Sequence, residues 1–201
     1  MTIEKFRQAD TDANRTRKMN LIRDALIGDG AAGAAASTSV AVSESSAGAI
    51  KTVMTLSNVS IAMTDATTAG SHGSLKLYDF PQCNLLFLGG TCDLVITAGA
   101  GGITDTAAVV GSIGTTTVGT DNATLTTTEA DLIPSTASTL TAGVGATKGK
   151  TVTAGVVVFD GTATAKDAYL NFAVPDADST ANDTLTVSGT ITLVWSNLGD
   201  N

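Results

Sequence analysis

Apolar and polar residues alternate along much of the chain from about Ile50 onwards. The alternation is clearest over residues 184–196, where the inward positions Leu185, Val187, Gly189, Ile191, Leu193 and Trp195 alternate with Thr184, Thr186, Ser188, Thr190 and Thr192. A period of two predicts a strand with one buried and one solvated face. Because Trp195 has the same parity as Leu193, we expect its ring inside the fold.

Similar patterns predict seven further strands. In the first, the parity of Met54 and Leu56 changes before Val59, so we expect a β-bulge at Ser57–Asn58. The other six candidates are Ser74–Phe80, Asn84–Leu88, Thr91–Ala98, Ala107–Val118, Lys150–Phe159 and Ala168–Val174. The stretch 119–146 is expected to be a long loop with one helical turn. Eight strands joined by Gly, Asp and Thr turns predict an all-β fold, a jelly-roll-like antiparallel β sandwich.

The N-terminal segment follows a different pattern. Met19, Ile22 and Leu26 are spaced three and four apart, which predicts a helix capped by Asp12 and ending at 28–30. Residues 31–48 are mostly Ala, Ser and Gly, a composition typical of a linker or an extended arm. The predicted organisation is an N-terminal helical arm at 1–30, an Ala/Ser-rich linker or extended arm at 31–49, and a β-sandwich body at 50–201.

Charge divides the chain in the same way. Residues 1–30 contain six basic and five acidic side chains, whereas residues 31–201 contain five basic and fourteen acidic ones. An acidic body is not expected to bind nucleic acid or an anionic membrane surface. The N-terminal segment is either an ordinary solvated helix or a segment that docks on an acidic surface.

Few residues are suited to catalysis. The single histidine, His72, lies among Gly, Ser and Thr and is interpreted as a solvated loop residue, so we predict no enzyme activity and no cofactor. Cys83 and Cys92 are interpreted as reduced, buried, small apolar side chains. The chain opens with no signal-peptide pattern and has no apolar run of membrane-spanning length, so we expect synthesis in a cytoplasm and no membrane partner.

Two motifs imitate ligand sites. The stretch 143–151, GVGATKGKT, resembles a phosphate-binding loop, but Val144 stands where the first glycine belongs and a β-branched segment follows, so no nucleotide binding is expected. Asp176, Asp178 and Asp183 have side-chain oxygens spaced like the start of a calcium loop. Ala181 replaces the glycine of that loop and no bidentate Glu follows, so a turn explains these residues without metal. They remain a weak calcium candidate.

Short strand motifs in the body carry a resemblance to a known family. These motifs are LKLYDFP at 75–81, LFLGG at 86–90, LNFAVPD at 170–176 and LTVSGTITLVW at 185–195. Over roughly residues 50–201 the chain resembles the decoration, or cement, proteins of tailed bacteriophage capsids. The resemblance implies a jelly-roll body that forms a homotrimer outside an icosahedral shell, after synthesis in the host cytoplasm, with the major capsid protein as partner.

The same resemblance implies that an N-terminal arm grips the capsid subunits. The side chains expected to bind the capsid are Phe6, Arg15, Arg17, Lys18, Met19, Ile22, Arg23 and Leu26. Apolar anchors among them would pack on the shell, and the basic groups would bond its carboxylates. The alternative function is a carbohydrate-binding or host-adhesion module of a virion.

Overall fold

Strands make up almost all regular structure in the computed structural model, which describes residues 40–46, 49–66, 68–119, 124–150 and 157–199. Short 3₁₀ turns occur at Thr127–Glu129 and Asp176–Asp178. Within these residues, no helix has the length and apolar character needed to cross a membrane. The ten strands are β1 (Val40–Ser46), β2 (Ile50–Asp65), β3 (Ser71–Asp79), β4 (Asn84–Ala98), β5 (Ala108–Gly114), β6 (Ile133–Thr139), β7 (Val144–Lys150), β8 (Val157–Asp160), β9 (Asp167–Val174) and β10 (Asp183–Asn197).

The strands form two layers in which all the described pairs are antiparallel. The first layer, sheet A, has the order β1-β2-β10-β4, and β7 and β8 follow one another along the far edge of β4. The second, sheet B, has the order β3-β9-β5-β6. The end of β2 pairs with β3, Thr64 opposite His72, so the sheet curls continuously from one layer to the other. The predicted all-β, jelly-roll-like antiparallel sandwich is confirmed.

The core lies between the inward faces of the two layers. Along β10, the apolar residues Leu185, Val187, Ile191, Leu193 and Trp195 have no solvent exposure. The prediction that Trp195 points inward is therefore confirmed. Its ring packs against Phe80, with centroids 5.3 Å apart in an edge-to-face arrangement, and against Tyr78. Such aromatic pairs add to the stabilisation that burial already gives.

The predicted β-bulge is also present. Opposite Ser188 of β10, β2 carries the two residues Ser57 and Asn58, since Val187 pairs with Val59 and Gly189 with Leu56. Asn58 has a positive φ of 53°, a conformation that asparagine tolerates better than most residues, and its amide donates to the Ser188 hydroxyl at 2.8 Å. The extra residue reverses the parity of β2, so Leu56 and Val59 both point inward.

Other strand boundaries differ from the predictions. The candidates Asn84–Leu88 and Thr91–Ala98 form one strand, β4, whose middle contains Gly89 at a φ of 146°. Of the candidate Lys150–Phe159, Lys150 is the last residue of β7 and residues 157–159 lie in β8, whereas residues 151–156 lie outside the described part.

The stretch 119–146 contains the expected helical turn, at Thr127–Glu129, but also β6 and the start of β7. These two strands are rich in Ser, Thr and Gly. Sequence periodicity therefore missed them, because they have few large apolar residues to mark an inward face.

The segment expected to be a linker or an extended arm contains strand β1. Val40–Ser46 pairs antiparallel with β2 over seven residues, from Val40 opposite Leu56 to Ser46 opposite Ile50. Val40 and Val42 pack partly buried against the core. The sheet therefore begins ten residues before the predicted start of the body at residue 50. The predicted helical arm at 1–30 lies outside the described residues.

Candidate functional site

The eight residues predicted to bind a capsid all lie outside the described residues, in the segment 1–39. The first described element after that segment is β1, an edge strand of sheet A that pairs with β2 alone among the described strands. Along the chain, β1 is thus the described strand that directly follows the N-terminal segment.

A hydrogen-bonded chain of polar side chains fixes β1 to the core. The carboxylate of Glu44 accepts hydrogen bonds from the Tyr78 hydroxyl and, at 2.9 Å, from the Thr52 hydroxyl. The Thr52 hydroxyl in turn accepts from the indole Nε1 of Trp195 at 2.9 Å. Thr52, Tyr78 and Trp195 have no solvent exposure, and Glu44 is half-buried. We call these four residues the Glu44 network.

This network connects four strands of both layers. Glu44 lies on β1, Thr52 on β2, Tyr78 on β3 and Trp195 on β10. Hydrogen bonds to an ionised carboxylate are about twice as strong as neutral ones, and a buried partner left unpaired is costly. Strand β1, which follows the N-terminal segment in the chain, is thus held by side-chain hydrogen bonds to buried residues as well as by its backbone pairing with β2.

A second polar cluster lies on the outer face of sheet B. Asp79 of β3 stands opposite Asp167 of β9. The ammonium of Lys76 forms ion pairs with both carboxylates, with its Nζ 3.1 Å from Oδ2 of Asp167. The Tyr169 hydroxyl donates to the same Asp167 oxygen at 2.9 Å. We call these four half-buried residues the Asp79–Asp167 cluster.

The two carboxyl groups of this cluster have pKa values displaced in opposite directions. Partial burial and the hydrogen bond to Asp167 raise the pKa of Asp79 above its ordinary 3.8. Burial alone would also raise the pKa of Asp167, but hydrogen bonds from Asp79, Tyr169 and Lys76 outweigh it and lower that pKa. On acidification, Asp79 therefore binds the first proton, and its protonated carboxyl donates a hydrogen bond to the carboxylate of Asp167.

A long loop covers another part of the same outer face. Asn171 of β9 is fully buried, and its amide nitrogen donates to the backbone carbonyls of Thr116 and Glu129 at 2.9 and 2.8 Å. Its amide oxygen accepts from the Ser74 hydroxyl and from the Val118 amide. Asn171 thus holds both ends of the loop between β5 and β6 through all four of its side-chain hydrogen-bonding positions.

The calcium candidates have a structural use instead. Oδ2 of Asp178 accepts from the Ala108 amide at 2.9 Å, and Oδ2 of Asp183 accepts from the Ile103 amide at 2.9 Å. Asp176 is exposed at the start of a 3₁₀ turn. Across the described ranges, no group of three or more His, Cys, Asp or Glu side chains is placed to hold a metal ion. The carboxylates of Asp178 and Asp183 therefore accept backbone hydrogen bonds, from the first residue of β5 and from the segment before it.

The phosphate-loop imitation is a strand. Val144–Lys150 is β7, and its backbone pairs with β4 from Thr97 to Thr91. A phosphate loop instead needs successive amides pointing at the ligand at the start of a helix. Strand pairing leaves no such cradle over these residues.

His72 is not the solvated loop residue that its surroundings suggested. It lies within β3, and its Nδ1 is buried with no hydrogen-bond partner among the described residues. Cys83 and Cys92 are both buried and no disulfide joins them, in agreement with their interpretation as small apolar side chains.

Sequence reasoning missed both polar groupings. Glu44 has the same parity as Val40 and Val42, which is the signal that could have placed it on an inward face. For the Asp79–Asp167 cluster the sequence carries no such signal, because its members meet only when β3 pairs with β9. The cluster, like the Glu44 network, therefore forms only in the tertiary structure.

Comparison with known proteins adds little to this description. No protein-family model and no curated protein matches the chain. A solved structure described as "CBM4 structure and function" aligns at 13% identity over 87% of this chain and 96% of its own, with a TM-score of 0.36. The mannan-recognising carbohydrate-binding module TmCBM27 aligns at 9% identity over 88% and 91%, with a TM-score of 0.29. At such TM-scores neither likeness carries an argument about function.

Proposed function

We propose that this chain is a virion structural protein, a decoration protein that binds the outside of an icosahedral phage capsid and stabilises it. In this function the acidic β sandwich is the exposed body and the N-terminal segment is the part that grips the shell. The gripping residues are those predicted from the sequence. The apolar anchors are Phe6, Met19, Ile22 and Leu26, and the basic groups are Arg15, Arg17, Lys18 and Arg23.

The observation that carries this proposal is the anchoring of β1. A segment that grips a shell transmits force to its body through the first strand that follows it. Here that strand has a seven-residue ladder to β2, and Glu44 connects it to the buried side chains of Thr52 and Tyr78. A purely flexible tether would not need a carboxylate bonded into the core, whose burial costs free energy unless it is paired.

The body itself also fits the exposed role. The outward positions of β10 are mainly polar, with Thr186, Ser188, Thr190 and Thr192 in succession, and the body's net charge is negative. Such a surface keeps many copies soluble and apart before assembly. Several weak grips on one shell can then act together through their effective concentration.

The direct test is the composition of the virion. Mass spectrometry of purified particles from the phage that encodes this chain should show a copy number comparable to that of the major capsid protein. The chain should also bind isolated expanded capsids and raise their rupture temperature. A chain absent from purified particles, or present at only a few copies, would contradict the decoration function.

The gripping segment is tested with full-length variants. Met19→Asp together with Ile22→Asp should reduce capsid occupancy at least about tenfold, because charged side chains replace apolar anchors. Lys51→Glu, on the exposed face of β2, is the matched control and should bind normally. If the double variant decorates capsids as well as the wild type, the contact lies on the sandwich instead.

A carbohydrate-binding function is the second candidate, and the Asp79–Asp167 cluster is what favours it. Tyr169 offers a half-buried ring on the outer face, next to two carboxylates and an ammonium that can bond sugar hydroxyls. Against it, the rings of Tyr78, Phe80 and Trp195 are buried and form no stacking platform. Glycan-array binding that disappears in Tyr169→Ala and resists EDTA would establish this function; an array without signal would exclude it for the glycans tested.

A further inference from the structure

Strand β1 is attached to the sandwich along one edge. Among the described strands it pairs with β2 alone, over seven residues. Its side chains at positions 40–44 alternate between half-buried and exposed, and none of these five is fully buried. Val40 and Val42 pack on the core as partly buried residues. A strand with few buried apolar contacts belongs to the part of a fold that opens most easily.

The other contacts of β2 do not involve β1. On its opposite side, β2 pairs with β10 from Ile50 opposite Trp195 to Met63 opposite Asp183. The inward side chain of Met54 is fully buried in a core cluster that contains residues of both sheets. Backbone groups along the edge of β2 can bond to water when β1 leaves, so the loss of that ladder alone is small. Release of β1 therefore leaves the partners of the two-layer core in place.

The Glu44 network opposes this release. The carboxylate of Glu44 accepts hydrogen bonds from the hydroxyls of Thr52 and Tyr78, whose side chains have no solvent exposure. When β1 leaves, both buried hydroxyls lose an ionised acceptor, which costs more than the loss of a solvated bond. Because Tyr78 belongs to β3, its bond to Glu44 also joins β1 to the second layer.

We infer that β1 is a strap that opens and closes as one unit while the two-layer core stays folded, and that the bonds of Glu44 to Thr52 and Tyr78 hold it closed. This device is a property of the sandwich and does not depend on a capsid. Where the decoration function also holds, a pull on the N-terminal segment acts on β1 before it acts on the core. The Glu44 bonds then set the resistance to that pull.

Native-state hydrogen exchange of the full-length protein tests whether β1 opens by itself. The β1 amides that bond to β2 should exchange together, at least about tenfold faster than the amides of Ile191 and Leu193 in the middle of β10. Urea below the unfolding transition should accelerate exchange in β10 much more than in β1, because opening a single edge strand exposes little surface.

A pair of variants in β1 tests the role of Glu44. Glu44→Ala should accelerate exchange of the β1 amides at least about tenfold, since two buried hydroxyls lose their acceptor. Ser43→Ala is the matched control, because it changes the neighbouring exposed side chain of the same strand, and it should keep exchange within about twofold of the wild type. Circular dichroism of each variant checks that the sandwich is folded.

A second pair changes the network from the other layer and leaves the sequence of β1 intact. Tyr78→Phe keeps the buried ring but removes one donor to Glu44, so it should accelerate exchange in β1 at least about threefold. Tyr169→Phe removes a hydroxyl from the outer face of sheet B and should leave exchange in β1 unchanged.

Two results would overturn the inference. Equal exchange rates with equal urea dependence in β1 and β10 would show that β1 leaves only when the whole sandwich unfolds. Equal exchange in the Glu44→Ala and Ser43→Ala variants would show that the Glu44 bonds do not hold β1 closed. Neither result bears on virion copy number, so the decoration function is judged separately.

Discussion

The indole nitrogen of Trp195 donates a hydrogen bond of 2.9 Å to the hydroxyl of Thr52, and both side chains are completely buried. The Thr52 hydroxyl donates its own hydrogen bond to the Glu44 carboxylate, so one threonine joins the core tryptophan to the strand that follows the N-terminal segment in the chain. A threonine at an inward, fully buried position is otherwise unfavourable, because its hydroxyl needs partners that apolar neighbours cannot provide.

Thr52→Val should therefore destabilise the protein although it replaces the hydroxyl by a methyl group of similar size. The indole N–H loses its acceptor and Glu44 loses one donor, for which we expect a cost of about 1–3 kcal/mol in the free energy of unfolding. Urea denaturation monitored by Trp195 fluorescence measures it. Thr55→Val, on the exposed side of the same strand, should change stability by less than about 0.5 kcal/mol. Equal effects of the two substitutions would mean that the bond contributes nothing.

Because β10 is buried on one face only, shortening an inward side chain should lower the free energy of unfolding more than shortening an outward one. Leu193 is fully buried and Thr192 is half-exposed on the other face. Leu193→Ala should cost about 2–5 kcal/mol, as large-to-small core changes do, and Thr192→Ala should cost much less. Chemical denaturation of both variants provides the comparison. Similar losses at the two positions would show that this part of β10 is covered on both sides.

The hydrogen bonds of Asn171 should stabilise the loop between β5 and β6 on the outer face of sheet B. Asn171→Asp keeps the shape of the side chain but replaces its amide donor by an oxygen, which would face the carbonyls of Thr116 and Glu129. We expect a loss of about 2–4 kcal/mol, since two carbonyls lose their donor and a charge is buried. Thr116→Val, which removes only an exposed hydroxyl bond to Thr128 within the same loop, is the milder control. Hydrogen exchange at the Val118 amide should accelerate in the aspartate variant; unchanged exchange there would show that Asn171 does not hold the loop.

The Asp79–Asp167 cluster predicts a pH effect. The raised pKa of Asp79 means that the folded state binds its proton more tightly than the unfolded chain does, so its contribution is full at low pH and is lost as pH rises through the folded pKa. The lowered pKa of Asp167 acts in the opposite sense, and its contribution is lost as pH falls through the folded value. The two effects partly cancel near the ordinary Asp pKa of 3.8.

Asp79→Asn separates the two contributions. The amide imitates protonated Asp79, so the variant should lose the decline of stability as pH rises above the ordinary Asp pKa of 3.8, and should keep the loss caused by Asp167 as pH falls below it. We expect a difference at pH 7 below about 1 kcal/mol, because half-exposed charges are screened by solvent. Thermal unfolding between pH 3 and 7 measures it, with Asp176→Asn, at an exposed position, as the control. Parallel curves for the wild type and Asp79→Asn would contradict the shared proton.

Calcium should have no effect on stability. The carboxylates of Asp178 and Asp183 already accept hydrogen bonds from loop amides, so a cation would have to displace those bonds. Millimolar calcium and EDTA should give the same melting temperature within about 1 °C, whereas a ligand bound at 100 times its Kd would stabilise by about 2.7 kcal/mol. A clear calcium-dependent increase, lost in Asp176→Ala, would restore the calcium hypothesis.

The amino-acid pattern determined the fold class and the inward faces of the regular strands. The bulge at Ser57–Asn58, the burial of Trp195 and the last strand follow from local alternation, because a strand with one solvated face must alternate with period two. The pattern failed where strands lack large apolar residues. The pattern therefore predicts a loop where β6 lies, and it places Val40, Val42 and Glu44 in a linker or extended arm.

Tertiary structure alone decided which residues meet. Asp79 and Asp167 are 88 positions apart in sequence and become neighbours only because β3 pairs with β9. The Glu44 network likewise requires β1, β2, β3 and β10 to converge at one end of the sandwich. Strand order depends on the packing of all inward faces at once, which no local period encodes. For the same reason, the tertiary structure alone shows that Leu85 and Phe87 of β4 are buried in the core whereas Leu88 is exposed.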